Sequence, residues 1–262
     1  MAVNPVPQNT PKPAAKRKII AVASGKGGVG KTWFSISLSH ALSQSGVRTL
    51  LFDGDLGLAN VDIQLGLMPQ KDIAAVIAGK TTLAQVVTTF TDGTFDILAG
   101  RSGAGNLASL PLQRLTALRD ALVGMADGYD RIILDLSAGV DRTVQTLASA
   151  AGIILVVTTD EPTALTDAYA FIKLYAAEHP GADLRIIVNL AETRNSGQDT
   201  YETLLKACRN FLDIEPPLAG IIRRDNKVRD SIRHQTALLT RYPSCDAAQD
   251  IEAIAGRLQR IT

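Results

Sequence analysis

Between an apolar run ending at Ala23 and a helical stretch opening at Lys31 lies Gly25-Lys26-Gly27-Gly28-Val29-Gly30-Lys31-Thr32. The spacing is G-x-x-x-x-G-K-[ST], and it restricts the fold more than any other feature of the chain. Glycines at these places let successive backbone N–H groups turn inward around phosphate oxygens. The helix that follows presents the positive end of its dipole to the same oxygens. Lys31 supplies charge for β- and γ-phosphates, and the Thr32 hydroxyl suits Mg²⁺. Such a loop works only between a strand and a helix, so it predicts an α/β chain. A glycine-rich turn with an incidental lysine is the competing reading.

The rest of the sequence keeps the same rhythm. Strands are expected at Lys18–Ala23, Arg48–Asp53, Phe95–Ala99, Arg131–Leu136, Ile153–Thr158, Arg185–Asn189 and Leu218–Ile222. Most are continuous apolar runs rich in β-branched residues, the pattern of parallel strands covered on both faces. Helices are expected at Lys31–Ser45 (ended by Gly46), Leu112–Met125, Thr163–Glu178 and Asp199–Leu212. The expected architecture is a single doubly wound, mostly parallel sheet flanked by helices. It spans residues 18–262, after a flexible proline-rich tail over 1–17 that carries Pro5, Pro7, Pro11 and Pro13.

Composition excludes several classes. The net charge is +1, so any attraction to nucleic acid or anionic lipid must come from a local patch. Cys208 and Cys245 form no CxxC pair, which argues against a disulfide framework or zinc site and for a reducing cytoplasm. The basic residues Lys12, Lys16, Arg17 and Lys18 precede an apolar stretch of only Ile19–Ala23, so no signal peptide is expected.

Two further acidic corners suit phosphoryl chemistry. The second strand ends in Asp53-Gly54-Asp55, which can turn two carboxylates toward one phosphate and its water, or can simply cap a loop. Arg131-Ile132-Ile133-Leu134-Asp135 is an apolar strand ending in an acid, followed by Ser137-Ala138-Gly139. Positioning and charge neutralisation are most of what phosphoryl transfer asks of a protein. Trp33, directly after the loop, reads as an aromatic packing helix to sheet.

Lys-Gly-Gly-Val-Gly-Lys-Thr (26–32), with its extra Lys26, resembles the deviant Walker A motif of the MinD/ParA family of ATPases, and the likeness runs over about residues 17–260. The resemblance implies ATP and Mg²⁺ as cofactors and slow hydrolysis. It implies that Gly25, Lys26, Gly27, Gly28, Val29, Gly30, Lys31 and Thr32 bind ATP, that Lys26 reaches a partner's ATP across a homodimer, and that Asp55 orients the attacking water. Lys26, Lys31 and Asp55 are then the catalytic set. Thr32 holds Mg²⁺ directly; Asp53 and Asp135 act through water; the Gly139 N–H senses the γ-phosphate. Relatives usually carry threonine where this chain has Leu136. Asn189, which could otherwise be a turn-forming strand end, together with Arg223 and Asp225 of the later loop, is implied for the base, although relatives usually carry proline at the place of Arg223.

Asp53–Asp62, Leu65-Gly66-Leu67, Ala99-Gly100-Arg101-Ser102-Gly103, Arg224–Arg229, Gln235 and Tyr242-Pro243-Ser244 are most similar to the flagellar-number regulator (FlhG/FleN) branch. By that resemblance the partners are an FlhF-like GTPase and flagellar switch-complex proteins. The place is the cytoplasm, the inner membrane face or a cell pole. The branch's N-terminal Asp-Gln-Ala-x-x-Leu-Arg motif is missing from residues 1–17. Division-site placement and chromosome or plasmid partitioning are the alternatives within the family; a nucleotide-gated binding module with incidental turnover is the alternative outside it. A C-terminal helix at about 246–260 carries the stripe Ile251, Ile254, Leu258, Ile261 with Asp250, Glu252, Arg257 and Arg260 on its polar face. Packing on the domain is the first reading of it, and weak membrane association the second. Arg223, Arg224, Lys227, Arg229, Arg233 and Arg241 form a basic run that reads first as a solvated helix face and second as a DNA surface.

Overall fold

The computed structural model describes residues 14–57, 59–69, 73–100 and 110–261. The strands are β1 (Ile19–Ser24), β2 (Thr49–Gly54), β3 (Thr88–Phe90), β4 (Phe95–Leu98), β5 (Arg131–Ala138), β6 (Ile153–Thr158), β7 (Asp183–Ala191) and β8 (Leu218–Arg223). The helices are α1 (Ala14–Arg17), α2 (Lys31–Gln44), α3 (Val61–Leu65), α4 (Ile73–Ile77), α5 (Leu112–Met125), α6 (Arg142–Ala148), α7 (Pro162–Glu178), α8 (Arg194–Leu212), α9 (Asn226–Arg233), α10 (Leu238–Arg241) and α11 (Asp246–Gln259).

The strands form one eight-stranded sheet in the order β3-β4-β2-β5-β1-β6-β7-β8. Every neighbouring pair is parallel except β3 with β4. β1, β2 and β6 are buried along their whole length, as the unbroken apolar runs require. Their residues still alternate between two cores. Ile19, Ala21 and Ala23 pack with Leu118 of α5, Leu147 of α6 and Phe171 of α7. Ile20 and Val22 pack on the other face with Phe34 and Leu38 of α2 and Ile251 and Ile254 of α11. β1 lies between β5 and β6, where connections leave toward both halves of the sheet. In open parallel sheets such a switch point opens the crevice that takes ligands.

Several expectations change. Residues 14–17 of the expected tail are helical: Ala15 packs against the core and Lys16 Nζ donates to the Ser149 carbonyl at 2.9 Å. The remainder of the tail, residues 1–13, lies outside the described residues, as do Leu58 and Arg101-Ser102-Gly103. α8 starts at Arg194, five residues before the expected Asp199, because Thr193 and Ser196 cap it reciprocally. The C-terminal helix has no free apolar face. Ile251, Ile254 and Leu258 are buried against α2 and β8. Asp250, expected on the polar face, is 3% exposed and pairs with Arg223 and Arg194 at 2.8 and 2.9 Å. Lipid binding through this stripe would therefore require the helix to leave the domain. Among the described residues no helix is long and apolar enough to cross a membrane.

Candidate functional site

The glycine-rich loop joins β1 to α2 at the carboxyl edge of the sheet. Gly30 sits at φ 92°, in the left-handed region, immediately before the helix. A Cβ there would stand 2.4 Å from the Asn189 amide nitrogen, so the position is closed to side chains on two counts. Asn189 Nδ2 donates to the Val29 carbonyl at 2.8 Å and is buried. Leu190, with φ 58°, bends β7 just beyond it. The asparagine implied for the base thus braces the phosphate loop.

Lys31 is buried in the first turn of α2, and its Nζ donates to Ser24 Oγ at 2.9 Å. Ser24 Oγ in turn donates to the Lys26 carbonyl at 2.7 Å. Burial lowers the Lys31 pKa, and the nearby Asp135 and Asp55 carboxylates oppose the shift. This lysine pays the desolvation of an interior position and is stabilised by acids already there, an arrangement suited to holding an anion brought between them.

Asp135 is the fifth of the eight residues of β5, which runs on past it to Ala138, and is in register with Asp53 of β2. It accepts from Ser35 Oγ at 3.1 Å and from the Thr32 hydroxyl. Burial pushes its pKa up to about 6, against the pull of Thr32, Lys31 and Ser35. Asp53 is pushed up to about 7, by burial first and then by Asp135. Its two oxygens accept from backbone: Asp55 N–H at 3.2 Å, Asn60 N–H at 3.0 Å and Val61 N–H at 3.1 Å. Asp53 therefore ties the loop after β2 to the start of α3, which is the loop-capping alternative left open by the sequence. Asp55 sits farther out, half-buried, within electrostatic reach of both Lys31 and Asp135.

Gly139, at φ 109°, donates its N–H to the Ser24 carbonyl at 2.9 Å. The loop after β5 is thus tied to the end of β1. Leu136 is buried in the core, where it contributes packing. Arg223 is engaged by two acids of α11: its guanidinium meets Asp250 at 2.8 Å and Asp246 at 2.7 Å. Asp225 caps α9, accepting from Lys227 N–H at 2.9 Å. Of the basic run, Arg241 pairs with Asp230 at 3.0 Å and Lys227 lies 4.7 Å from the Tyr242 ring centre.

Sequence reasoning missed Ser24, Ser35, Glu161 and Thr163. Ser35 stands one turn beyond Thr32 on the same helix, so helical spacing alone could have found it. Glu161 precedes Pro162 at the start of α7, which marks a helix start but not what the start faces.

The donor set fits Mg²⁺. That ion takes one or two protein oxygens and keeps several waters. A Thr32 hydroxyl beside a buried Asp135 offers this. Among the described residues no three His, Cys, Asp or Glu side chains gather into a protein-only metal cage.

A strand, a phosphate loop that leads into a helix with a buried lysine, and an acid on the adjacent strand define a P-loop nucleotide-binding protein. The chain belongs to the CobQ/CobB/MinD/ParA nucleotide binding domain family, whose pattern matches residues 20–238. It is 36% identical over 241 residues to the antiactivator FleN of Pseudomonas aeruginosa, covering 92% of this chain and 86% of FleN. It is 32% identical to the flagellum site-determining protein YlxH of Helicobacter pylori, covering 92% and 81%. Among solved structures, the septum site-determining protein MinD of Pyrococcus horikoshii, complexed with Mg-ADP, superposes with a TM-score of 0.78. It is 23% identical, with 94% of this chain and 97% of that one covered.

Proposed function

We propose that this protein is an ATP·Mg²⁺-dependent switch that dimerises with ATP, hydrolyses it slowly, and sets flagellar number or placement. The observation that carries the nucleotide half is Lys31, buried at the loop between Ser24, Asp135 and Asp55. The likeness to FleN and YlxH over more than nine-tenths of the chain supports the flagellar half.

In this reading the loop amides from Gly25 to Gly30, with Thr32, cradle the phosphates, and Lys31 neutralises the terminal ones. Thr32 and, through water, Asp135 hold Mg²⁺, with Asp53 behind Asp135. The ion, when bound, offsets charge on the β- and γ-phosphate oxygens. Asp55 orients the attacking water and accepts its proton. Lys26 of one subunit approaches the other subunit's terminal phosphate and stabilises charge that develops there. Gly139 exchanges its bond to Ser24 for the γ-phosphate, which links nucleotide state to the loop after β5. Asn189 keeps the loop at the height the base requires. Asp225 and the backbone beside Arg223 border the base.

Asp55→Ala tests the catalytic assignment. Phosphate release is expected to fall roughly 100-fold or more while ATP binding persists. Turnover at the parental rate overturns the role of Asp55. For the cellular role, deletion of the gene in its host should change flagellar number or position in electron micrographs, and Asp55→Ala should fail to restore them. An unchanged flagellar pattern in the deletion strain overturns that half of the proposal.

A further inference from the structure

α3 and α9 end in the same closing turn, and the two turns touch. At the end of α3, Leu67 N–H donates to the Asp62 carbonyl at 2.9 Å, and Gly66 takes φ 64°. At the end of α9, Thr236 N–H donates to the Ser231 carbonyl at 3.0 Å, and Gln235 takes φ 50°. Glycine is the usual residue at such a place, because a Cβ is crowded in the left-handed region. Gly66 follows that rule and Gln235 breaks it. The Gln235 side chain supplies a reason. Its Nε2 donates at 2.9 Å to the Ile63 carbonyl of α3, 172 positions away in the chain. A Cβ on Gly66 would stand 3.3 Å from that of Gln235, so the two helix ends fit closely. A side chain held on a strained backbone points to a task for that side chain.

α3 has five residues, so what holds its ends decides where it lies. Its first turn is held by Asp53, whose Oδ2 accepts from Asn60 N–H and Val61 N–H. The other oxygen of the same carboxylate accepts from Asp55 N–H. The segment from Asp55 to Asn60 therefore hangs on Asp53 at both ends. Val61 and Leu65 bury the inner side of α3 in the core that it shares with α2. On the outer side, where Ile63 is exposed, Gln235 fastens α3 to α9. α9 is a firm support: Asp225 caps its start, and Val228 and Ile232 pack against the same core.

We infer that Gln235 is a positioning residue for Asp55: it clasps the end of α3 and so keeps the loop after β2 where water attack requires it. The inference rests on the reading that Asp55 orients the attacking water. Gln235 acts through α3 and Asp53, so its loss should change turnover and spare ATP binding.

Two substitutions with opposite backbone consequences test this. Gln235→Gly removes the side-chain bond and relaxes the left-handed backbone. Gln235→Glu keeps the backbone cost and the size, but sets a carboxylate with no proton to donate against the Ile63 carbonyl. Amide hydrogen exchange over residues 59–65 is measured in nucleotide-free protein, and phosphate release and ATP affinity are measured with Mg²⁺. In both variants the Asn60 and Val61 amides should exchange about two- to tenfold faster, the worth of one hydrogen bond, and phosphate release should slow by a similar factor. The Kd for ATP should stay within about twofold of the parent, because an interaction needed only for the attack changes turnover and not binding. Four results overturn the role of Gln235 and leave the switch reading standing: unchanged exchange, parental turnover, a loss of ATP affinity that matches the loss of turnover, or slowing in one variant but not the other. Parental turnover in Asp55→Ala overturns the reading of Asp55 itself, and the role of Gln235 falls with it.

Discussion

The inner and outer halves of one phosphate loop are built by opposite rules. Lys31, at the inner end, is buried, its pKa depressed by desolvation, and its neighbours are a serine hydroxyl, the buried Asp135 and the half-buried Asp55. Lys26, five positions earlier, lies at the rim, with its charge screened by solvent and its partners drawn from a different helix. A buried charge with a prearranged counter-charge is a fixed feature of a site, since moving it would leave the buried carboxylate of Asp135 without its lysine. An exposed pair can exchange partners at little cost. In the proposed function the inner lysine binds the nucleotide and the outer one responds to it, and the two settings suit those two tasks.

The largest effect should come from breaking the inner half. Lys31→Ala removes the buried lysine beside Asp135 and Asp55, and should weaken ATP·Mg²⁺ binding about 100-fold or more in calorimetry. Affinity equal to the parent would mean that the phosphates lie elsewhere. The outer half should behave differently. Lys26→Ala in the Asp55→Ala background should abolish ATP-dependent dimerisation yet alter monomer affinity for ATP by less than about threefold, as expected for a screened surface charge. If light scattering still finds a full complement of dimer, Lys26 is a solvated loop residue.

A third test addresses the acids behind Lys31. The Asp53 carboxyl is raised to about 7 in the folded protein, above its ordinary 3.8. Between those values the folded state holds a proton that the unfolded chain releases, so this group's contribution to stability is lost as pH rises toward 7. Asp135, raised to about 6, acts in the same direction. Nucleotide-free protein should therefore melt at a higher temperature at pH 5.5 than at pH 7.5, after other groups are matched by comparison with Asp53→Asn, in which the difference shrinks. Identical pH dependence in parent and variant would remove Asp53 as its source. The smallest effect concerns Trp33, which follows the loop threonine and is buried with its indole N–H unpaired. ATP·Mg²⁺ should change its emission intensity, and the change should disappear in Lys31→Ala. A spectrum indifferent to saturating nucleotide would show that the helix start does not feel the site.

Much of this molecule was written locally. The strand–loop–helix unit from Ile19 to Gln44 could be read directly, because glycine tolerance, helix dipole and lysine spacing all act within a few residues. The buried strands were legible because a two-sided core demands unbroken apolar runs. Asp135 could be placed on a buried strand by the same logic, although that strand runs on to Ala138. Short pieces such as α3, α9 and α10 left little periodic signal and were not predicted.

The sequence by itself determined the phosphate loop, the parallel α/β architecture and the two strands that carry Asp53 and Asp135, since each depends on neighbours close along the chain. Only the tertiary structure decided what those residues face. Asn189 meets Val29 160 residues away, Lys26 meets Glu161 at a separation of 135, and Asp250 spends its charge on Arg223 and Arg194. It also decided that the apolar stripe of α11 is core, because a stripe at helical spacing looks the same whether it will cover a sheet or a bilayer. Local pattern carries backbone preference and amphipathicity; which surfaces and charges finally meet is set by strand order, and no short window of sequence contains it.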